Sequence, residues 1–209
     1  LILLSRYSEY VAKNDTESLM RTFRQSVGGL ILFLAPIALL TCVFAHDIVS
    51  IVYLRGEFGE TAALHTSRAL IGFAVGFPLV AVREMCIRLH LAYQNTRRPM
   101  LANVAAVALN AALSILLAQF IGILGVALAT SLSVILTILL LDRSAKRYLP
   151  QFRFAQLLPV LWRCALACIA AYAAAVLLRM ALPFSLPVRF MAVSAVSAAV
   201  YLAALLLLR

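Results

Sequence analysis

Three charged residues, Arg83, Glu84 and Arg88, follow a long uncharged stretch and could carry chemistry inside a membrane. The 14 residues before Arg83, 69–82, carry no charge. As an α-helix they would cover about 21 Å. An ionised side chain that deep in hydrocarbon costs at least about 2.5–3.5 kcal/mol, so it usually faces a cavity or a charged partner. The three residues are therefore candidates for the path of a charged substrate.

The same residues have two structural explanations. The helix could end early, with Arg83 and Arg88 extending to the lipid headgroups. Alternatively, Glu84 and Arg88 are four residues apart, so they could pair on one face of a helix. At the level of the sequence, these explanations and the substrate path all stay open.

The remaining reactive residue types do not form a recognisable catalytic pattern. The three histidines, His46, His65 and His90, are scattered along the sequence and are expected at different depths, which argues against a metal site or a Ser-His-Asp triad. The four cysteines form no CxxC pair and fit as small apolar residues within helices. No nucleotide-binding glycine loop or metalloprotease motif occurs. We therefore expect no enzyme, no cofactor and no metal.

The composition indicates which kind of element must position these residues. Of the 209 residues, 65% are hydrophobic and 12% are charged, and the mean hydropathy is +1.02. A soluble domain typically has about 25% charged residues. The net charge is +10, but the basic residues lie between apolar runs, which indicates membrane topology and not binding of nucleic acid. The sequence therefore predicts an all-α polytopic membrane protein.

Six stretches have the length and apolarity of membrane-spanning helices. Such a helix needs about 20 predominantly apolar residues to cross the hydrocarbon. The stretches are 27–53, with an expected kink at Pro36, then 69–93, 100–119, 122–141, 157–178 and 190–208. About six transmembrane helices are therefore expected.

The segments between these stretches predict different kinds of connection. A polar helical segment with a turn and helix start at 14–17 should precede the first span. The later connections are a polar loop at 54–68, a turn at 95–99, a helical hairpin at 120–124, a basic linker at 142–154 and a two-proline loop at 183–189. Small residues such as Gly72 and Gly76 indicate close helix packing in lipid.

Lys and Arg are distributed unevenly between the two sides of the predicted spans. Fourteen of the 18 fall on the side of the N-terminal segment and four fall on the other. Basic residues are enriched in cytoplasmic loops of membrane proteins. The distribution therefore predicts six spans with both ends of this segment on the cytoplasmic side.

Four phrases of the sequence resemble those of one transporter family. They are Leu4-Ser5-Arg6-Tyr7-Ser8 followed by Asn14-Asp15, then Arg55-Gly56-Glu57-Phe58, Asn95-Thr96-Arg97-Arg98-Pro99, and Gly125-Val126-Ala127-Leu128-Ala129-Thr130-Ser131. Together they are similar to the lipid II flippases of the MurJ/MviN type, within the multidrug/oligosaccharidyl-lipid/polysaccharide exporter group. The more specific matches are Arg55, Gly56, Phe58, Asn95, Thr96, Arg98 and Pro99.

The resemblance implies a larger fold, with about fourteen helices in two related lobes. This chain would be its C-terminal portion, the last six helices, and residues 1–4 would end an earlier helix. The implied parts are an amphipathic cytoplasmic segment at 1–26, four transmembrane helices of the second lobe at 27–141, a basic cytoplasmic linker at 142–156, and a terminal transmembrane hairpin at 157–209. That hairpin would provide an apolar groove for a lipid tail.

The resemblance also implies a function. Such a protein flips lipid II, a polyprenyl-pyrophosphate-linked sugar and peptidoglycan precursor, from the inner to the outer leaflet of the bacterial inner membrane by alternating access. Its expected partners are this lipid-linked oligosaccharide, membrane lipids and cell-envelope synthesis proteins.

The sequence also departs from the family pattern. His90 and Leu91 stand in place of an aromatic pair, and Asn95 stands in place of an Asp. A flippase of the same fold for O-antigen or exopolysaccharide units therefore stays open. A drug exporter and a non-transporting membrane scaffold stay open as well.

Overall fold

Eight α-helices and no strand occur in the part of the chain that the computed structural model describes, residues 2–149, 158–181 and 186–207. The helices are α1 (Ile2–Ala12), α2 (Thr16–Val43), α3 (Ala45–Tyr53), α4 (Glu60–Ala92), α5 (Arg97–Ile121), α6 (Ile123–Ala145), α7 (Leu158–Ala181) and α8 (Leu186–Leu207). Parts of the predicted linker and of the two-proline loop, residues 150–157 and 182–185, lie outside the described residues. The prediction of an all-α fold is confirmed.

Several of these helices have the dimensions of membrane spans. Among the described residues, α2, α4, α5 and α6 are long and apolar enough to cross a membrane. The helices α7 and α8 have 24 and 22 residues, and each contains a shorter apolar segment, Trp162–Leu177 and Ala195–Ala204 respectively. Each of the six predicted stretches therefore corresponds to helical structure, with α2 and α3 together forming the first.

A tight turn joins α1 to α2 and fixes the direction of α1. Asn14 has a φ of 53°, and the backbone N–H of Asp15 donates to the carbonyl of Tyr10 at 3.0 Å, as in a Schellman motif. Asp15 then caps α2, because its Oδ1 accepts a hydrogen bond from the backbone N–H of Ser18 at 3.0 Å. The predicted turn and helix start at 14–17 are confirmed.

The first predicted span ends at Tyr53 as expected but begins earlier than predicted and is interrupted. The helix α2 begins at Thr16, well before residue 27, and runs through Pro36 to Val43. At Phe44 the backbone leaves the helical region, with φ −105° and ψ 14°, and α3 follows. The helix is therefore interrupted at Phe44, a position that the sequence did not indicate.

The polar start of α2 is an amphipathic extension of the span. Leu19 and Phe23 are buried, whereas Arg21 and Arg24 are exposed. This spacing places apolar residues on one face of a helix and charged residues on the other. Polar composition here marks where the hydrocarbon would end, and the helix itself continues beyond that point.

A polar helical extension beyond the hydrocarbon also explains a wrong prediction at the start of α4. The prediction of a loop over 54–68 is wrong from Glu60 onward, because α4 begins at this residue. Gly59 is the N-cap of α4, and Glu60 in the first turn complements the helix dipole. Only residues 54–59 connect α3 with α4.

The close packing predicted for the glycines occurs between α4 and α6. A Cβ atom added to Gly72 would lie 2.6 Å from Cβ of Ala127, and one added to Gly76 would lie 2.5 Å from Oγ of Ser131. The Ser131 hydroxyl also donates to the carbonyl of Gly72 at 3.1 Å. Small residues therefore allow the two backbones to approach closely, as is typical of helices in membranes.

The helix α4 lies at the centre of the arrangement. It packs against α1, α2, α3 and α6, while α5 packs mainly on α6. The connection between α5 and α6 is Gly122 alone, with a φ of +65°, which confirms the predicted hairpin. The helices α7 and α8 pack on each other and join the rest of the protein through α2.

Candidate functional site

The predicted path residues Arg83, Glu84 and Arg88, here called the α4 charge cluster, lie in the last third of α4. Nη2 of Arg83 donates to Oε1 of Glu84 at 3.0 Å. Of the alternatives that the sequence left open, the pairing of Glu84 with Arg88 is thus replaced by a pairing with Arg83. Met85 lies beside Tyr7 of α1, at 4.0 Å from Sδ to the hydroxyl, and Arg88 is one helical turn beyond Met85 on the same side of α4.

The ion pair leaves part of the Arg83 guanidinium without a partner. Its Nε is buried and has no hydrogen-bond acceptor, although 30% of the side chain is exposed. A guanidinium has five N–H donors in a fixed fork, which suits the oxygens of a phosphate. Arg83 therefore retains donor capacity that an anionic group could use.

The charge of Arg88 acts on a buried tyrosine of α1. Tyr7 is fully buried, and its ring centroid lies 6.3 Å from that of Phe23. Burial raises the pKa of Tyr7, against smaller lowering effects of a hydrogen bond with Ser26 and of the Arg88 charge. No carboxylate of the described residues forms an ion pair with Arg88, so the α4 charge cluster carries an excess of one positive charge.

The motif residues Arg55, Gly56 and Phe58 form the turn between α3 and α4. Gly56 has a φ of +59°, a region that glycine adopts more readily than other residues. The backbone N–H of Phe58 donates to the carbonyl of Arg55 at 3.2 Å, and the Phe58 ring centroid lies 5.8 Å from that of Tyr53. This motif shapes a tight connection and leaves Arg55 exposed.

The motif residue Asn95 fastens the turn between α4 and α5. Gln94 has a φ of 57°, and the Asn95 backbone N–H donates to the carbonyl of His90 at 3.0 Å, which closes a second Schellman motif. The Asn95 side chain donates through Nδ2 to the hydroxyl of Tyr148 and accepts through Oδ1 from the backbone N–H of Arg98 at 3.2 Å. One side chain thus joins the end of α4, the start of α5 and the turn that follows α6.

The other motif residues of this turn begin α5. Thr96 is its N-cap and is exposed, as is Arg98 in the first turn. Pro99 is buried in the same turn, where a proline costs little because the first N–H groups of a helix have no intrahelical acceptor.

The predicted site residues do not form one constellation. The turn at Arg55–Phe58 precedes the start of α4, and Arg83 lies 23 residues beyond Glu60. At 1.5 Å per residue this places them roughly 35 Å apart along the helix. Asn95 and its neighbours, by contrast, lie at the same end of α4 as the α4 charge cluster. Across the described parts of the chain, no three His, Cys, Asp or Glu side chains are grouped as a metal site would require.

Comparison with known proteins decides the family. The family model described as "Lipid II flippase MurJ" matches residues 1–201. The chain belongs to the MurJ lipid II flippase family.

MurJ relatives share sequence and fold with this chain. A probable lipid II flippase MurJ of Bdellovibrio bacteriovorus is 28% identical over 157 residues, which are 75% of this chain and 30% of that protein. The lipid II flippase MurJ of Thermosipho africanus is 27% identical over 147 residues, 70% and 30% of the two chains. A solved structure of lipid II flippase MurJ in an inward closed conformation superimposes with a TM-score of 0.77 at 23% identity, over 97% of this chain and 41% of that chain. The chain thus spans less than half the length of these MurJ proteins.

The MurJ-type turn after α4 depends on a residue that the sequence did not indicate. Tyr148 stacks on Tyr93 with ring centroids 4.5 Å apart and meets the His90 ring edge-on at 6.2 Å. His90 is buried, and its Nδ1 lies 2.8 Å from the carbonyl oxygen of Cys86. Tyr148 is 53 residues from Asn95, and no spacing pattern links them. Only the fold brings them together.

Proposed function

We propose that the protein acts as a lipid II flippase that carries this peptidoglycan precursor from the inner to the outer leaflet by alternating access. The observation that supports this most is the match of the MurJ family model over 201 of the 209 residues. In this proposal the substrate changes sides without the breaking of a bond, so the protein is a transporter and not an enzyme.

The proposed setting is the bacterial inner membrane, with both ends of this segment on the cytoplasmic side. The distribution of basic residues supports this orientation. Exposed cations occur on α1 (Arg6), in the turn after it (Lys13) and in the amphipathic start of α2 (Arg24), and Arg97 and Arg98 begin α5. All of these belong to the end of the protein where α1 meets the last turns of α4. Basic residues concentrate on the cytoplasmic side.

The α4 charge cluster is proposed to contribute cations to the path of the pyrophosphate group. Arg83 retains an unpartnered Nε, and Arg88 has no ion-paired carboxylate in the described part of the chain. Phosphate oxygens accept charge-assisted hydrogen bonds from guanidinium groups, often in pairs. Glu84 would keep Arg83 in place before the substrate arrives.

Arginine replacements in the whole protein test this role. Growth is measured in bacteria depleted of their own lipid II flippase, and membrane abundance is measured in parallel. Arg83→Ala should reduce rescue without reducing abundance. Arg68→Ala is the matched control, because it removes an exposed arginine near the other end of the same helix. Equal loss of rescue and abundance in Arg83→Ala would instead assign Arg83 to the fold.

The departure at residue 95 does not favour a different substrate. Asn95 lies in the turn beyond α4, where its side chain bonds to Tyr148 and to the start of α5. A carboxylate at this position could accept hydrogen bonds but could not donate one to the Tyr148 hydroxyl. Since the Tyr148 hydroxyl could instead donate to such a carboxylate, either residue fits this structural turn, and the O-antigen or exopolysaccharide alternative gains no support from the Asn. Absence of rescue with the whole protein present in the membrane would bring that alternative back.

A further inference from the structure

Pro36 leaves a gap in the hydrogen bonding of α2. The helix passes through Pro36 without interruption. Because proline has no backbone N–H, the carbonyl of Leu32, four residues earlier, lacks its usual helical donor. Within a bilayer no water is available to satisfy such a group, so another part of the protein must do so.

The hydroxyl of Tyr201 on α8 occupies this gap. It donates to the carbonyl oxygen of Leu32 at 2.9 Å. Tyr201 is only 2% exposed, and its hydroxyl lies 3.3 Å from Sγ of Cys164 on α7. Since the single hydroxyl proton is directed at Leu32, the Cys164 thiol is the donor in this second contact. One tyrosine thus connects α2, α7 and α8.

The other contacts around this point are apolar and small. Cys164, Ala167, Ala171 and Ala175 form a buried stripe on α7, which packs on both α8 and α2. In a bilayer such surfaces gain little by leaving lipid, because the lipid tails are equally apolar. Apolar packing alone would therefore hold the α7–α8 hairpin on α2 without fixing its position along the helix axis. A hydrogen bond to one particular carbonyl favours a single position.

We propose that Tyr201 is the positioning residue that docks the α7–α8 hairpin on α2, by supplying the hydrogen bond that Pro36 withholds from Leu32. The position of the hairpin is then coupled to the shape of α2. A change in α2 that moves the Leu32 carbonyl releases Tyr201, and one that gives this carbonyl another donor makes the Tyr201 bond less important for holding the hairpin in place. This coupling does not depend on which substrate the protein carries.

The test combines Tyr201→Phe with Pro36→Ala in the whole protein, reconstituted in lipid nanodiscs. Cys164 is 4% exposed, so its rate of modification by a small membrane-permeant thiol reagent reports undocking. Cys86 on α4 is equally buried and serves as the internal reference for general loosening. Mass spectrometry of the separate peptides follows both thiols in one sample, and the assay requires no transport.

Tyr201→Phe should increase the modification rate of Cys164 roughly three- to tenfold, the range of inter-helix hydrogen bonds in membranes, and leave Cys86 unchanged. Pro36→Ala restores a backbone donor to Leu32, so adding Tyr201→Phe to it should produce little further increase. An equal increase in both backgrounds would contradict the proposal, because Tyr201 would then act only through Cys164 or through packing. No increase in Tyr201→Phe, or an equal rise at Cys86, would overturn it as well.

Discussion

Two hydrogen bonds of the same chemical kind join helices in this protein, and they differ in what they accomplish. Ser131 on α6 donates to the carbonyl of Gly72 on α4 at 3.1 Å, and Tyr201 on α8 donates to the carbonyl of Leu32 on α2 at 2.9 Å. The Gly72 carbonyl still has the N–H of residue 76 within its own helix. The Leu32 carbonyl has lost the corresponding donor to Pro36. The Ser131 bond is thus a second hydrogen bond to a carbonyl that is already bonded within its helix. The Tyr201 bond replaces the helical hydrogen bond that the Leu32 carbonyl lacks.

The helix packing around the two hydrogen bonds also differs, because it is tight at Gly72 and looser at Leu32. Around Gly72 the backbones of α4 and α6 are so close that no Cβ atom fits, so this interface is fixed by shape. The α7–α8 hairpin meets the rest of the described protein mainly through α2, across small apolar residues. In the MurJ fold shown here, we therefore expect α4 and α6 to behave as one rigid pair and the hairpin to be the more easily displaced part.

The largest loss of stability is expected from a substitution that disrupts the close packing of α4 on α6. Gly72→Leu would place a side chain against Ala127 and the backbone of Leu124. Overpacking of this kind costs about 3 kcal/mol or more where backbone lies in the way. The thermal unfolding midpoint of the purified protein should fall sharply. Gly29→Leu is the control, since nothing lies within 4 Å of a Cβ at that position, and it should unfold like the parent. Similar behaviour of the two variants would contradict a close fit at α4 and α6.

The next largest loss of stability is expected at Tyr201, and it allows the two hydroxyl hydrogen bonds to be compared directly. Tyr201→Phe leaves a buried carbonyl without a donor, which costs about 1–3 kcal/mol. Ser131→Ala removes a bond from a carbonyl that keeps a helical partner, and about 0.6 kcal/mol is typical for such bonds in membranes. Unfolding midpoints in the same lipid would rank the two variants. A larger loss in Ser131→Ala would reverse the comparison.

A smaller effect is expected at the turn between α3 and α4, outside both regions. Gly56 has a positive φ with open space around it, so Gly56→Ala introduces backbone strain of about 1–2 kcal/mol without any steric overlap. Gly56→Asn should lose less, because Asn tolerates this conformation better. Equal losses in the two variants, again measured by thermal unfolding, would indicate that conformation is not the reason for the glycine.

The smallest effect concerns a third polar link, between Asn95 and Tyr148. Tyr148→Phe removes the acceptor for Nδ2 of Asn95 and keeps the ring stack, which should cost about 0.5–1 kcal/mol. Tyr93→Phe keeps the same stack and removes no hydrogen bond between described side chains, so it should be neutral. Unfolding curves of the two variants that coincide would show that the hydroxyl at 148 contributes nothing.

The sequence predicted the features that depend on neighbouring residues. The turn and helix start at 14–17 and the short hairpin connection within 120–124 were predictable, because each follows from the local conformation that its residues prefer. The helical stretches were predictable from their apolar length. The start of α4 at Glu60 was not, because a polar helix outside the hydrocarbon looks like a loop in composition.

The contacts that hold helices together could not be predicted in the same way. Tyr148 and Asn95 are 53 residues apart, and Tyr201 and Leu32 are 169 apart, so no local pattern connects them. The gap at Pro36 was visible in the sequence as an expected kink, but the identity of the group that fills it was not. The α4 charge cluster stays a prediction as a substrate path, and the structure adds that Glu84 pairs with Arg83.

The central claim, that the protein flips lipid II, is tested most directly by the amount of lipid II in the outer leaflet of cells depleted of their own flippase. The whole protein should restore outer-leaflet lipid II, and Arg83→Ala at equal membrane abundance should restore distinctly less, whereas Arg68→Ala should match the parent. Whole protein that is present in the membrane but leaves lipid II confined to the inner leaflet would contradict the claim.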